Sequence, residues 1–177
     1  MRLPELFDPS TFPVAERSAL RLDGELFPLA EALITLDALD SPELRARAAH
    51  AGRGPRLIAE LETAAWIWGA LPAPPGRLQF CAAMEERSRL RPGDPGAGRE
   101  VVMPAEDEFL LAGRRVTTPL RTALDLVRLR DDASYDAAVV GRLLGDDGAE
   151  RAMTALAARR LPHAARARRR LAGLSRP

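Results

Sequence analysis

The spacing of apolar residues changes character at Thr118. Upstream of it, short apolar runs alternate with Pro- and Gly-rich punctuation, the pattern of short strands and turns. Residues 1–18 are mixed, with Ser10 or Thr11 placed to cap a short helix through Arg17. Leu20–Leu29 and Ala32–Leu36 read as short strands; Asp23-Gly24 marks a turn, and Pro28 confines its strand to an edge. Ser41-Pro42-Glu43 is a helix start, with a capping hydroxyl, Pro at the first helical position and an acid in the first turn. That helix is expected to end near Ala51, where Gly52 and Gly54-Pro55 stop it. Leu57–Glu60 predicts a buried strand, residues 62–69 a helix carrying Trp66 and Trp68, and Arg77–Ala82 a strand with Leu78 and Phe80 on one face. Ser88–Gly98 has the strongest loop chemistry. Glu100–Met103 predicts another strand, and Phe109–Leu111 with Arg114–Thr117 a hairpin turning at Ala112-Gly113.

Downstream the pattern is helical. Thr118 caps, Pro119 comes first, and Leu120, Ala123, Leu124 and Val127 follow the i, i+3, i+4, i+7 rule. Further helices are expected near Ser134–Leu144, Ala149–Arg160 and Pro162–Gly173, the last with Ala164, Ala167, Leu171 and Leu174 in one stripe. The fold class is therefore α+β: a small mixed or antiparallel sheet with packed helices, followed by a helical C-terminal third.

Length permits this. A chain of 177 residues with 46% hydrophobic side chains can bury a core, and with only 5% aromatic residues that core must be mostly aliphatic. A single cysteine, Cys81, staples nothing within the chain, and a reducing cytosol is the expected compartment. The longest uncharged run, Thr63–Gly76, is too short for a bilayer and is broken by three prolines, so no membrane is expected as a partner. Glu5 and Asp8 stand where a secretory leader would be basic and then apolar, which again favours a cytoplasmic protein.

Charge is balanced overall, at +1, but segregated. Residues 1–44 carry three Arg against nine acids, whereas residues 151–177 carry eight Arg and no acid. All 26 basic side chains are Arg, and the chain contains neither Lys nor Asn. That usage matches a G+C-rich genome and weakens Arg abundance as evidence of nucleic-acid binding. The C-terminal run still concentrates positive potential on one segment, which suits either an anionic partner or docking on the acidic N-terminal stretch.

Catalytic signatures are missing. A phosphate loop with Lys is impossible, and His50 and His163 lack companions at metal-ligand spacing, so neither a metal nor a cofactor is expected. Cys81 reads as a small core side chain, and Arg121 with Asp125, at i and i+4, as a structural pair. Of Trp66 and Trp68, one is expected in the core and the other at an interface. Arg114-Arg115 at a hairpin tip could meet phosphate, although a solvated turn is the simpler reading. An enzyme would have to assemble its acid and base from distant residues such as Asp125 or Asp107.

Two segments carry a family resemblance: Glu62-Thr-Ala-Ala-Trp-Ile-Trp-Gly-Ala-Leu-Pro-Ala-Pro-Pro-Gly-Arg77 and Gly113-Arg-Arg-Val-Thr-Thr-Pro-Leu-Arg-Thr-Ala-Leu-Asp-Leu-Val127. In this order, with strands between and Arg-rich helices after, the chain resembles actinobacterial AbiEi-family antitoxins of type IV toxin–antitoxin systems over residues 20–174. The resemblance implies a non-enzymatic antitoxin or transcriptional regulator, with an N-terminal winged helix that reads DNA and a C-terminal domain opposing a nucleotidyltransferase-like toxin. That toxin would be a functional rather than a stable partner. Residues 1–19 are expected to hold too few helices for a full winged helix, and the nuclease activity of some relatives is not expected of these residues. The expected division is therefore 1–56, with a remnant wing hairpin and one helix, and 57–177, an antitoxin domain ending in Arg-rich helices. Arg159, Arg160, Arg166, Arg168, Arg169 and Arg170, with Arg114 and Arg115, are the expected contacts to DNA phosphate or to an acidic partner. The alternative is a protein-interaction scaffold without nucleic-acid binding.

Overall fold

A computed structural model describes residues 5–8, 11–85, 97–159 and 161–174. A three-stranded antiparallel sheet comes first, made of β1 (Leu6–Phe7), β2 (Leu26–Leu29) and β3 (Ala32–Thr35) in the order β1-β3-β2. Pro28 thus lies on an edge strand, as its missing N–H requires. Between β1 and β2 stands α1 (Val14–Leu22), where the sequence pattern suggested a helix ending at Arg17 and a strand beginning at Leu20. The correction has a physical reason. None of the α1 side chains is buried, so no core contact fixes its register, and Leu20 and Leu22, two apart, imitate strand alternation. The predicted turn survives: Asp23 caps α1, and Gly24 takes φ +74°.

The start of α2 (Pro42–Ala49) follows its sequence signal, with Ser41 Oγ accepting from Leu44 N at 3.1 Å. A five-stranded mixed sheet then forms in the order β6-β5-β4-β8-β7, from β4 (Ile58–Ala59), β5 (Phe80–Ala83), β6 (Ala97–Val101), β7 (Glu108–Leu111) and β8 (Arg114–Thr117). Most of the expected loop, residues 88–96, lies outside the described residues; Ala97 and Gly98 belong to β6. The β7–β8 hairpin turns through Ala112 and Gly113, both with positive φ.

Strand alternation divides the sheet's two faces. Ala59, Phe80 and Val116 join a core with α2 and α3 (Leu61–Ile67), centred on Trp66. The intervening row, Ile58 and Cys81, continues into Ala83 and Val101 as a separate small cluster. Burial pushes the Cys81 thiol well above its ordinary pKa, so it behaves as core. The helical third comprises α4 (Pro119–Leu129), α5 (Ala137–Leu144), α6 (Gly148–Ala158) and α7 (Ala164–Leu174). The predicted α7 stripe is real: Ala167 and Leu171 are buried, and Ala164 and Leu174 pack against the same core as Leu124, Val140 and Leu156.

His50 is a core residue. Its Nδ1 lies 2.9 Å from Ala46 O and its Nε2 3.2 Å from Leu57 O, with the ring edge-on to Phe80. Burial, aided weakly by Arg114 and Arg53, pushes its pKa below 6.5 against the pull of those two carbonyls. The unfolded chain therefore binds this proton more readily. The resulting stabilisation is full above pH 6.5 and is lost as pH falls through the lower folded value. The urea midpoint is expected to drop between pH 7 and pH 5, and to drop less in His50→Gln; equal drops would remove His50 as the cause.

Candidate functional site

The local chain at the start of α4 builds two things at once. Thr118 Oγ1 accepts from Arg121 N, which caps the helix. Thr117 Oγ1 lies 2.7 Å from Thr122 Oγ1 and donates to Ala59 O at 3.3 Å, which ties β8 to α4 and β4. This coupling sets Arg121, Asp125 and Arg128, one turn apart, over the sheet face from which Glu60 and Arg99 project.

These side chains form a continuous buried charge network. Arg99 donates from Nε and Nη2 to the Glu60 carboxylate and from Nη2 to Asp125 at 2.9 Å. Arg121 donates from Nε to Asp125 at 2.9 Å and from Nη1 to Asp107 at 2.7 Å. Arg128 also donates to Asp125 and, through Nη1, to Pro162 O. Arg159 closes the chain on Asp107. Four guanidinium groups thus surround three carboxylates, and the Asp125 side chain is wholly buried. Burial opposes ionisation of Asp125, but Arg121, Arg99 and Arg128 outweigh it and hold its carboxyl below the usual range.

Asp107 and Asp125, examples of the distant acids an enzyme would have to assemble, are bridged by Arg121. Both carboxylates are engaged by arginine, Asp125 by Arg99, Arg121 and Arg128 and Asp107 by Arg121 and Arg159. Among the described residues, no group of three or more His, Cys, Asp or Glu side chains could hold a metal ion, and no helix is long and apolar enough to cross a membrane.

The arginines singled out from the sequence fall into distinct sets. Arg159 sits in the network. Arg166 Nη1 donates to the carbonyls of Arg128 and Arg130, and Arg170 Nη1 to those of Val127 and Arg130, so α7 closes the C-terminal end of α4. Arg170 also pairs with Asp132 and stacks 4.1 Å from the Tyr135 ring centre. Its acidic partner therefore comes from the α4–α5 connection, and α7 docks on α4 and α6. Arg168 and Arg169 are exposed and have no partner among the described residues. Arg160 lies outside those residues. At the hairpin, Arg115 is bound to Glu108 and to Arg56 O, whereas half-buried Arg114 has no ion pair among the described residues. Trp66 is buried; Trp68 is half-buried, donates to Thr117 O at 2.8 Å and meets Phe109 edge-on.

The sequence pairs Arg121 with Asp125 but does not reveal Arg128, Arg99, Glu60, Asp107 and Arg159 as the other members of the network. Only the i, i+3 and i, i+4 spacings within α4 were available as a local signal. A model of the AbiEi antitoxin C-terminal domain family matches residues 57–174. No curated protein matches the chain.

Proposed function

From the premise that the chain belongs to the AbiEi antitoxin C-terminal domain family, we propose that it is a non-enzymatic antitoxin or regulator acting through the basic face of α7. Antitoxin or regulator is the role that membership supports. The finer reading is that Arg168 and Arg169, with Arg160 before them, contact nucleic-acid phosphates, with Arg114 and Arg115 as a secondary contact. Arg159, Arg166 and Arg170 position that face. The supporting observation is the exposure of Arg168 and Arg169 without any acidic partner among the described residues, on a segment that holds no acid from residue 151 onward. Guanidinium groups left free in this way are suited to bidentate phosphate bonding. Such contacts are sequence-independent, so binding to a labelled non-specific duplex is expected at low salt and is expected to weaken steeply as salt rises. No binding at low salt would exclude DNA as the partner. The nucleotidyltransferase-like toxin is, on this reading, opposed without a stable complex, in a bacterial cytoplasm.

The N-terminal sheet fits a remnant wing, with hairpin β2–β3 and β1 laid along β3, attached to the antitoxin domain that begins near residue 57. A protein-interaction role has one observation in its favour. β7 is a sheet edge, and its Phe109 and Leu110 are exposed apolar side chains.

A further inference from the structure

A cavity of about 450 Å³ opens where β4 ends and α3 begins, beside the charge network. Its wall carries three guanidinium groups, Arg77, Arg99 and Arg130, and one carboxylate, Glu60. Arg99 is paired with Glu60 and Asp125 and Arg130 with Glu62, so Arg77 is the positive charge of the wall that no carboxylate among the described residues compensates. Each arginine also keeps unused donors. Arg77 is exposed and has no partner among the described residues. Arg99 spends Nε and Nη2 on carboxylates, and its Nη1 has no partner among the described residues. Arg130 pairs with Glu62 through Nη2, and its Nη1 has no partner among the described residues. Gln79 lines the same space; its Oε1 accepts from Glu62 N at 3.0 Å, which leaves its amide N–H groups as donors.

Leu61, Leu78, Phe80 and Gly98 complete the lining. Leu61 holds φ +51°, a left-handed backbone that a bulky side chain rarely adopts. Local strain of this kind persists where surrounding structure enforces it, and it accumulates at ligand sites. Arg130 is held in turn by α7, whose Arg166 and Arg170 bind its carbonyl. The volume lies within the range of small-molecule sites and far exceeds the needs of one phosphate ion.

We propose that this cavity binds a phosphorylated small molecule of about nucleotide size, its phosphate held by Arg77, Arg99 and Arg130 and its body lying on Leu61 and Leu78. Charge-assisted bonds to guanidinium would fix the anionic end, and Leu61 and Leu78 would select an ester over the free ion. Isothermal titration of the full chain with adenosine 5′-monophosphate, inorganic phosphate and adenosine tests it. The monophosphate is expected to bind more tightly than either other probe. Arg77→Gln should weaken that binding about tenfold, since it removes one charge-assisted hydrogen bond. Because Arg77 is exposed and unpartnered among the described residues, the variant should keep the parent's thermal midpoint, so weaker binding reports the missing guanidinium rather than a damaged fold. Equal affinity for inorganic phosphate would overturn the ester in favour of a simple anion. Equal affinity for adenosine, unchanged affinity in Arg77→Gln, or no heat from the monophosphate at millimolar concentration would overturn the site itself.

Discussion

Asp125→Asn is expected to destabilise the fold by about 3–5 kcal/mol, because it strips the shared carboxylate from three arginines that remain buried or half-buried. The substitution keeps the volume of the side chain and changes its charge. Packing loss is therefore small, and the effect reports uncompensated guanidinium groups around an amide that cannot accept from all three. Arg121 and Arg128 suffer most, since both are almost fully buried. Urea unfolding followed by circular dichroism checks this: the midpoint should fall with little change in slope. A loss below about 1 kcal/mol would show that water reaches the network and screens it. The sign with pH follows from the depressed Asp125 pKa. Its contribution is full above the ordinary value of 3.8 and is lost as pH falls through the folded value below that.

Trp66→Ala should cost a similar amount, about 3–5 kcal/mol, for a different reason. Trp66 is the largest fully buried side chain, and many of its neighbours in the core are alanines: Ala46, Ala48, Ala49, Ala59 and Ala64. Alanine has no rotamer with which to fill a void, so the cavity stays open and the loss falls at the upper end of that range. Arg45, whose guanidinium lies 5.8 Å from the Trp66 ring centre, loses its aromatic face as well. Trp66→Phe retains part of the volume and should recover about half of the loss. A thermal melt that leaves Trp66→Ala within a few degrees of the parent would mean that α2 and α3 close over the gap.

Punctuation was the most legible part of the sequence. Ser41-Pro42, Thr118-Pro119 and Ala112-Gly113 marked two helix starts and a hairpin because each signal is local: a cap, a fixed φ, a positive φ. The α7 stripe was legible because its period records burial against a single neighbouring layer. α1 was illegible because Leu20 and Leu22, two apart beside the Asp23-Gly24 turn, read as strand alternation, and none of its side chains is buried to mark a face. Of the charge network only the Arg121–Asp125 pair was visible, and Arg128, three residues after Asp125 on the same helix, was not. Glu60 and Arg99 are 39 residues apart, and Arg159 and Asp107 are 52 apart, so topology alone brings them together. Composition also misleads. In a chain whose only basic residue type is arginine, surface contacts and buried structural pairs use the same side chain, and only the fold separates them.

Whether α7 divides its arginines between structure and nucleic acid is tested most directly by comparing two double variants. Thermal melts and duplex binding across salt should be measured for Arg166→Gln/Arg170→Gln and for Arg168→Gln/Arg169→Gln. The first pair should lower the melting temperature, since it uncaps the end of α4 and removes the Tyr135 stack. The second pair should leave the melt unchanged and reduce the slope of log affinity against log salt by about two, one for each phosphate no longer neutralised. An unaltered slope in Arg168→Gln/Arg169→Gln would contradict the assignment of the α7 face to nucleic acid.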